Sequence, residues 1–273
     1  MEPARLFTVF AASVLAGTLG ALLGLGGGII LVPALVLVLG VPEKTAVATS
    51  LLGVIATSVV ASTSHLRYRY TNIPLAMWLV SAAVLGALLG SMLFQRMEAR
   101  WIALGFVVLQ TYVAWILWRR QEPSDGSEPV IQGTNGASAC YVDHATGETI
   151  CYTPSRLYAG WGAGLVAGVI SALLGVGGGI IKVPVMNLWM NVPLKAAAAT
   201  SSFMLGMTGS VSAAIYLLRG YVDPTLAAPS VLGVMAGAHL GAFLSRRLRS
   251  RVLRSVLIAL LVVSAIRMAW RVF

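Results

Sequence analysis

The sequence predicts an all-α integral membrane protein of two inverted repeats, each with a glycine-tipped re-entrant or broken helix pair and three transmembrane helices. Three observations lead there. Of 273 residues, 58% are hydrophobic and only 10% charged, against about a quarter charged in a soluble domain. The hydrophobic residues fall into long, nearly uncharged blocks. One glycine-rich motif occurs twice, together with its surroundings.

The blocks cover residues 6–23, 44–64, 74–94, 101–118, 157–174, 196–218, 226–244 and 252–266. A helix crosses a bilayer with roughly 17–25 apolar residues, and each block is close to that length. Lipid offers a backbone amide no partner, so a spanning segment closes its hydrogen bonds within itself as a helix. The bland alternative is a soluble protein with many buried helices, but so many long uncharged blocks exceed an ordinary core.

A net charge of +10 raises nucleic acid as a partner. The basic residues sit instead at block ends: Arg67 and Arg69, Arg119 and Arg120, and the run from Arg246 to Arg254. Such clusters anchor a membrane protein at its cytoplasmic face. No aromatic–basic groove or nucleic-acid motif accompanies them. The expected surroundings are a lipid bilayer, not nucleic acid, and the chain reads as a multi-pass protein of the cell (inner) membrane.

The repeat is the strongest signal. GLGGGIILVP at 24–33 recurs as GVGGGIIKVP at 175–184, an offset of 151 residues from Gly24 to Gly175. The same offset relates Pro42 to Pro193, Lys44 to Lys195, Thr49-Ser50 to Thr200-Ser201, Gly86 to Gly237, Gly90 to Gly241 and Arg96 to Arg247. It divides the chain into a first membrane repeat (1–120), a polar linker (121–154) and a second membrane repeat (155–273). Residues 1–23 have the look of a signal peptide. Their match to a mid-chain segment starting at Arg156 makes them a permanent helix instead.

In order along each copy, the first segment runs into the glycines and the second, 29–39 or 180–190, is short. At 1.5 Å per residue it covers roughly half the hydrocarbon thickness. Each pair therefore reads as a re-entrant hairpin or broken helix with glycines at its tip, tolerated only against protein or a water-filled cavity. Three longer segments follow. If the pair makes no net single crossing, the copies are inverted, and one face holds 11 basic residues against 6. If it makes one crossing, the copies run parallel and the division is 9 against 8. Only the inverted arrangement gives a clear inside. It places the linker in the cytoplasm and both termini outside.

Within the linker, 139–142 and 149–152 are β-prone strips around a Gly-containing turn, the pattern of a hairpin. Cys140 and Cys151 would face each other across it. A plain hairpin, a disulfide with reversed topology, and a metal site with His144 all remain open. Three ligands are one short of a closed zinc site, so no metal is assigned.

The candidate site residues follow. Gly26, Gly27 and Gly28, and Gly177, Gly178 and Gly179, lead directly into a helix. Glycine allows close helix packing, and the free N–H groups at such a start bind anions. Lys182 replaces Leu31 in the first turn of the second short helix. A lysine buried in a membrane needs a partner. No carboxylate is near it in sequence, so a bound anion or an excursion of the side chain to the surface would have to serve. Thr49, Ser50, Thr200 and Ser201 could donate to an oxyanion or bond back to their own helices. Asn187 could line the cavity. His239 could bridge helices or relay protons. No Asp or Glu falls inside a spanning block, which favours anionic over cationic cargo. No catalytic constellation or ATP-hydrolysing unit is visible, so neither an enzyme nor a cofactor is expected.

The doubled Leu-Gly-x-Gly-Gly-Gly-Ile-Ile-x-Val-Pro motif, at 23–33 and 174–184, is followed in both copies by Val-Pro-x-Lys and Ala-Thr-Ser. These residues resemble the TauE/SafE family of sulfite exporters, over both halves but not the linker. The resemblance implies a permease for sulfur-containing anions such as sulfite, organosulfonates or thiosulfate. A non-transport sensor or assembly protein acting through the linker, and an importer of the same anions, are the alternatives. Homo-oligomerisation stays open.

Overall fold

A computed structural model describes residues 3–23, 26–119, 137–142, 148–244 and 250–272. Gly24 and Leu25 of the first motif, most of the linker, the hairpin turn with His144, and Arg246, Arg247 and Arg249 lie outside the described residues.

The first copy forms α1 (Pro3–Leu23), α2 (Gly28–Leu39), α3 (Glu43–Arg67), α4 (Ile73–Arg96) and α5 (Ala99–Arg119). The second forms α6 (Leu157–Leu174), α7 (Gly179–Pro184), α8 (Leu194–Leu218), α9 (Pro224–Leu244) and α10 (Ser250–Val272). Shifted by the repeat offset, the second set falls on the first. Among the described residues, α3, α4, α6 and α8 are long and apolar enough to cross a membrane. Shorter apolar stretches cover Leu6–Ala21, Gly28–Leu39, Ala99–Trp115 and Leu261–Trp270. Large apolar side chains such as Phe7, Leu15, Met92, Val108 and Trp270 point outward, as lipid permits and water would not.

The breaks before α2 and α7 are built by glycine. Gly26 and Gly27 have φ of 81° and 72°, and Gly177 and Gly178 have 82° and 72°. A side chain strains this left-handed region, and glycine enters it freely. The short helices then differ. α2 runs through Pro33 to its cap at Gly40, whose N–H bonds Leu35 O. In the second copy the α-helix stops at Pro184 and continues as a π-helical turn, Val185–Trp189. Proline has no N–H to give the carbonyl four residues back, and a wider turn is one way to re-close the ladder.

The two copies are interleaved. α1 packs on α9, and its counterpart α6 packs on α4. Glycines make both contacts close. A Cβ on Gly86 would strike Leu165 O, and one on Gly237 would strike the equivalent Val14 O. Gly90 against Val169 and Gly241 against Thr18 repeat the relation. In a bilayer, close backbone packing supplies the attraction that the hydrophobic effect cannot. α3 and α8 cross at the centre. Ser58 Oγ donates to Ser202 O at 2.6 Å, while Gly209 faces Ile55 and Leu51, so these two counterparts run antiparallel.

The hairpin of β1 (Ala139–Val142) and β2 (Thr149–Tyr152) pairs Cys140 with Cys151, and a disulfide joins them. Tyr141 and Tyr152 are buried in a cluster with Leu75, Leu79, Met186 and Met190.

Candidate functional site

The two glycine turns meet inside the molecule. A Cβ on Gly28 would strike Gly175 O, and Val176 O lies 3.7 Å from the Cβ position of Gly26. Val54 and Leu205, counterparts on α3 and α8, fill the space over both Gly26 and Gly177. Hydroxyls fasten the turns. Ser50 Oγ donates to Gly175 O at 2.6 Å, and Thr57 Oγ1 lies 3.0 Å from Gly26 O. Ile30 and Leu31 both donate their N–H to Gly27 O, as Ile181 and Lys182 do to Gly178 O.

Lys182 lies one turn inside α7 and is 3% exposed. Its Nζ donates to Thr208 Oγ1 at 3.0 Å, so the side chain stays in the interior. Thr208 Oγ1 in turn donates to Met204 O at 2.8 Å, which uses its only proton. No ion pair involves Lys182 among the described residues. An ammonium group in hydrocarbon with one hydroxyl for company is far from fully satisfied. Beside it is a small, apolar-walled cavity lined by Leu79 of α4, Gly160, Ala163 and Gly164 of α6, Val185 and Met186 of the π turn, and Met204 of α8. None of the glycine-turn residues lines this cavity.

The other sequence candidates distribute around this centre. Thr49 and Ser201 are fully buried, with no hydrogen-bond partner for either hydroxyl among the described residues. Thr200 Oγ1 accepts from Asn72 N at 3.1 Å. Asn187 Nδ2 donates to Val192 O at 3.0 Å and so fastens the loop after the π turn. His239 is on the exposed face of α9, with Nδ1 2.9 Å from Met235 O of the same helix. Sequence reasoning missed Thr208. Its signal was available, because Thr57 and Thr208 obey the repeat offset. It also missed Asn72, which accepts from Leu75 N as the cap of α4 and donates to Ala137 O next to the hairpin. Burial pushes the Tyr152 hydroxyl above its ordinary range, partly offset by a hydrogen bond with Asn72.

Comparison with known proteins is consistent along the chain. The profile of the family described as sulfite exporter TauE/SafE matches residues 9–268. A probable membrane transporter protein of Bacillus subtilis, YunE, is 28% identical over 259 residues, 90% of this chain and 92% of its own. A probable membrane transporter protein of Methanocaldococcus jannaschii, MJ0441, is 25% identical over 259 residues, 90% of this chain and 88% of its own. The probable membrane transporter protein MamO of Magnetospirillum gryphiswaldense is 36% identical, but over 113 residues, 38% of this chain and 18% of its own. No solved structure matches.

Proposed function

The chain belongs to the sulfite exporter TauE/SafE family of membrane transporters, and from that premise we propose that it exports a small sulfur-containing anion, such as sulfite, an organosulfonate or thiosulfate, by alternating access. The observation that carries this reading is Lys182, a buried ammonium group whose hydrogen-bond partner is a hydroxyl. The small cavity beside it has an apolar wall as it stands, and movement of the surrounding helices would let an anion reach the amine as its counter-charge. The interleaving of the copies supports an inverted pair, because counterparts α3 and α8 run antiparallel. Rocking one copy against the other would expose a site between them to each side in turn. The glycine turns act here as the close-packed pivot, and the buried hydroxyls of Thr49 and Ser201 as groups a cargo could reach as the copies move.

The test is flux in proteoliposomes loaded with radiolabelled sulfite. The wild type carries it above protein-free vesicles. Lys182→Ala, inserted and monodisperse to the same degree, loses at least about tenfold, since an unpaired charge in low dielectric costs more than the 1.4 kcal/mol this represents. Unchanged flux in that variant would remove the lysine from the mechanism.

The disulfide favours a second reading of the orientation. Disulfides persist in oxidising compartments, which would turn the linker outward and both termini inward, against the basic-residue count. Labelling of Cys140 and Cys151 in intact cells by a membrane-impermeant maleimide, with and without prior reduction, decides. Labelling only after reduction supports the outward linker, and labelling only after lysis supports the cytoplasmic one.

A further inference from the structure

The two ends of the molecule are closed differently. Tyr70 follows α3 and its repeat counterpart Tyr221 follows α8, so the antiparallel crossing of those helices puts the two tyrosines at opposite ends. Tyr221 packs edge-on against Phe94 of α4 and Tyr216 of α8, with ring centroids 5.8 and 6.1 Å away. The counterparts of those two aromatics are Ser245 and His65. At its own end Tyr70 meets the linker hairpin instead, edge-on to Tyr141 at 5.3 Å, and Tyr141 meets Tyr152 at 6.4 Å. The hairpin also reaches the wall of the Lys182 cavity. Leu79, Met186 and Met204 line that cavity and share one buried apolar cluster with Tyr141 and Tyr152. Asn72 fastens the hairpin, donating from Nδ2 to Ala137 O at 2.7 Å and bonding Tyr152. The strand alternation that buries Tyr141 leaves Cys140 exposed, so the disulfide to Cys151 is open to reagents at that end.

Resting on the transport function proposed above, we infer that the hairpin is a plug on the linker side of the Lys182 cavity, and that its disulfide is the site where a sulfur nucleophile releases it. Alternating access requires this end to open, and the two tyrosines fill it. A two-stranded hairpin is marginal in water by itself, and the cross-link holds this one together. In the releasing step a lone pair on the incoming sulfur forms a bond to Cys140 Sγ, the bond to Cys151 breaks, and Cys151 leaves as the thiolate. A dithiol then exchanges a second time, leaving both cysteines as thiols and itself as the disulfide. Sulfite stops at the first exchange, leaving an S-sulfonate on Cys140.

The experiment places Met186→Cys in protein that keeps Cys140 and Cys151. Sealed vesicles are treated with dithiothreitol, with sulfite or with neither, and the reagent is removed. An impermeant maleimide is then added on the linker side, and peptide mass spectrometry separates position 186 from 140 and 151. The expected result is labelling of position 186 faster by about tenfold or more after treatment, the change that about 1.4 kcal/mol makes in an equilibrium. With Cys140→Ser and Cys151→Ser added, labelling is fast with or without treatment. Tyr141→Ala, which removes the wedge and leaves the disulfide intact, labels fast untreated. Acceleration by dithiothreitol alone assigns the release to thiols, and acceleration by both reagents extends it to sulfite. Equal rates in every state would overturn the plug. Methanesulfonate, which does not attack disulfides, gives an independent flux measurement in protein with Met186 unchanged, and that flux should rise on reduction. Flux that no treatment changes, with equal labelling, overturns the plug and leaves the transport function standing. Accelerated labelling without flux of methanesulfonate or sulfite in any state overturns the transport function and leaves the plug.

Discussion

At the level of single residues, the part of the site readable in advance was the part that breaks a symmetry. Lys182 stands out because its counterpart is Leu31, and a lone cation in an apolar stretch demands an explanation. Thr208 was equally available through the repeat, yet a threonine in a membrane helix usually bonds to its own backbone, and nothing local distinguishes one that also serves a lysine. The filling of both glycine turns by Val54 and Leu205 had no local signal at all, since it exists only when α3 and α8 cross. Thr208→Val leaves Lys182 without its partner. It should destabilise the protein by about 1–3 kcal/mol, read as a lowered unfolding midpoint in detergent, with Thr208→Ser, which keeps the hydroxyl, closer to wild type.

At the level of elements, the helices were legible from the uncharged blocks, and the short second helix from its length and the glycines before it. The π turn was not, because Pro33 and Pro184 are the same residue at the same repeat position with different outcomes. Part of the difference is visible. Gln110 of α5 is fully buried, and its Nε2 lies 3.5 Å from Ile29 O, the carbonyl that Pro33 leaves without a helical donor. Its counterpart in the second copy is Leu261, which donates nothing. Gln110→Leu should therefore loosen α2 by roughly 1 kcal/mol, detectable as faster amide exchange around Ile29 to Pro33. The interhelical glycines give a sharper contrast. Gly168→Ala forces a Cβ against Ala83 O, and overpacking costs about 1–3 kcal/mol, whereas a Cβ on Gly162 meets nothing within 4 Å. Gly162→Ala should be neutral or stabilising by up to about 1 kcal/mol in the same thermal assay. For the hairpin, replacing Cys140 and Cys151 by serine removes a cross-link whose kind is worth about 2–4 kcal/mol. Faster proteolytic cutting of the linker, with the membrane helices intact, is the expected outcome.

At the level of the whole molecule, the fixed offset announced two copies, and charge asymmetry argued for opposed orientations. What the offset could not tell is that the copies are interleaved, with α1 held by α9 and α6 by α4. That depends on which small residues find each other, and glycine at 86, 90, 237 and 241 reads from sequence only as a tendency to pack closely. Interleaving matters to function because neither copy closes the Lys182 cavity alone. α4 comes from the first copy, while α6, the π turn and α8 come from the second. Any movement of one copy against the other must therefore open or reshape it. The most direct test introduces Met186→Cys into a protein whose Cys140 and Cys151 are serine, and labels that cysteine with an impermeant thiol reagent from each side of sealed, oriented vesicles. Labelling from both faces is expected, slowed by methanesulfonate and no longer slowed when Lys182 is alanine. Labelling from one face alone, or labelling from both that no anion slows, would contradict alternating access at Lys182.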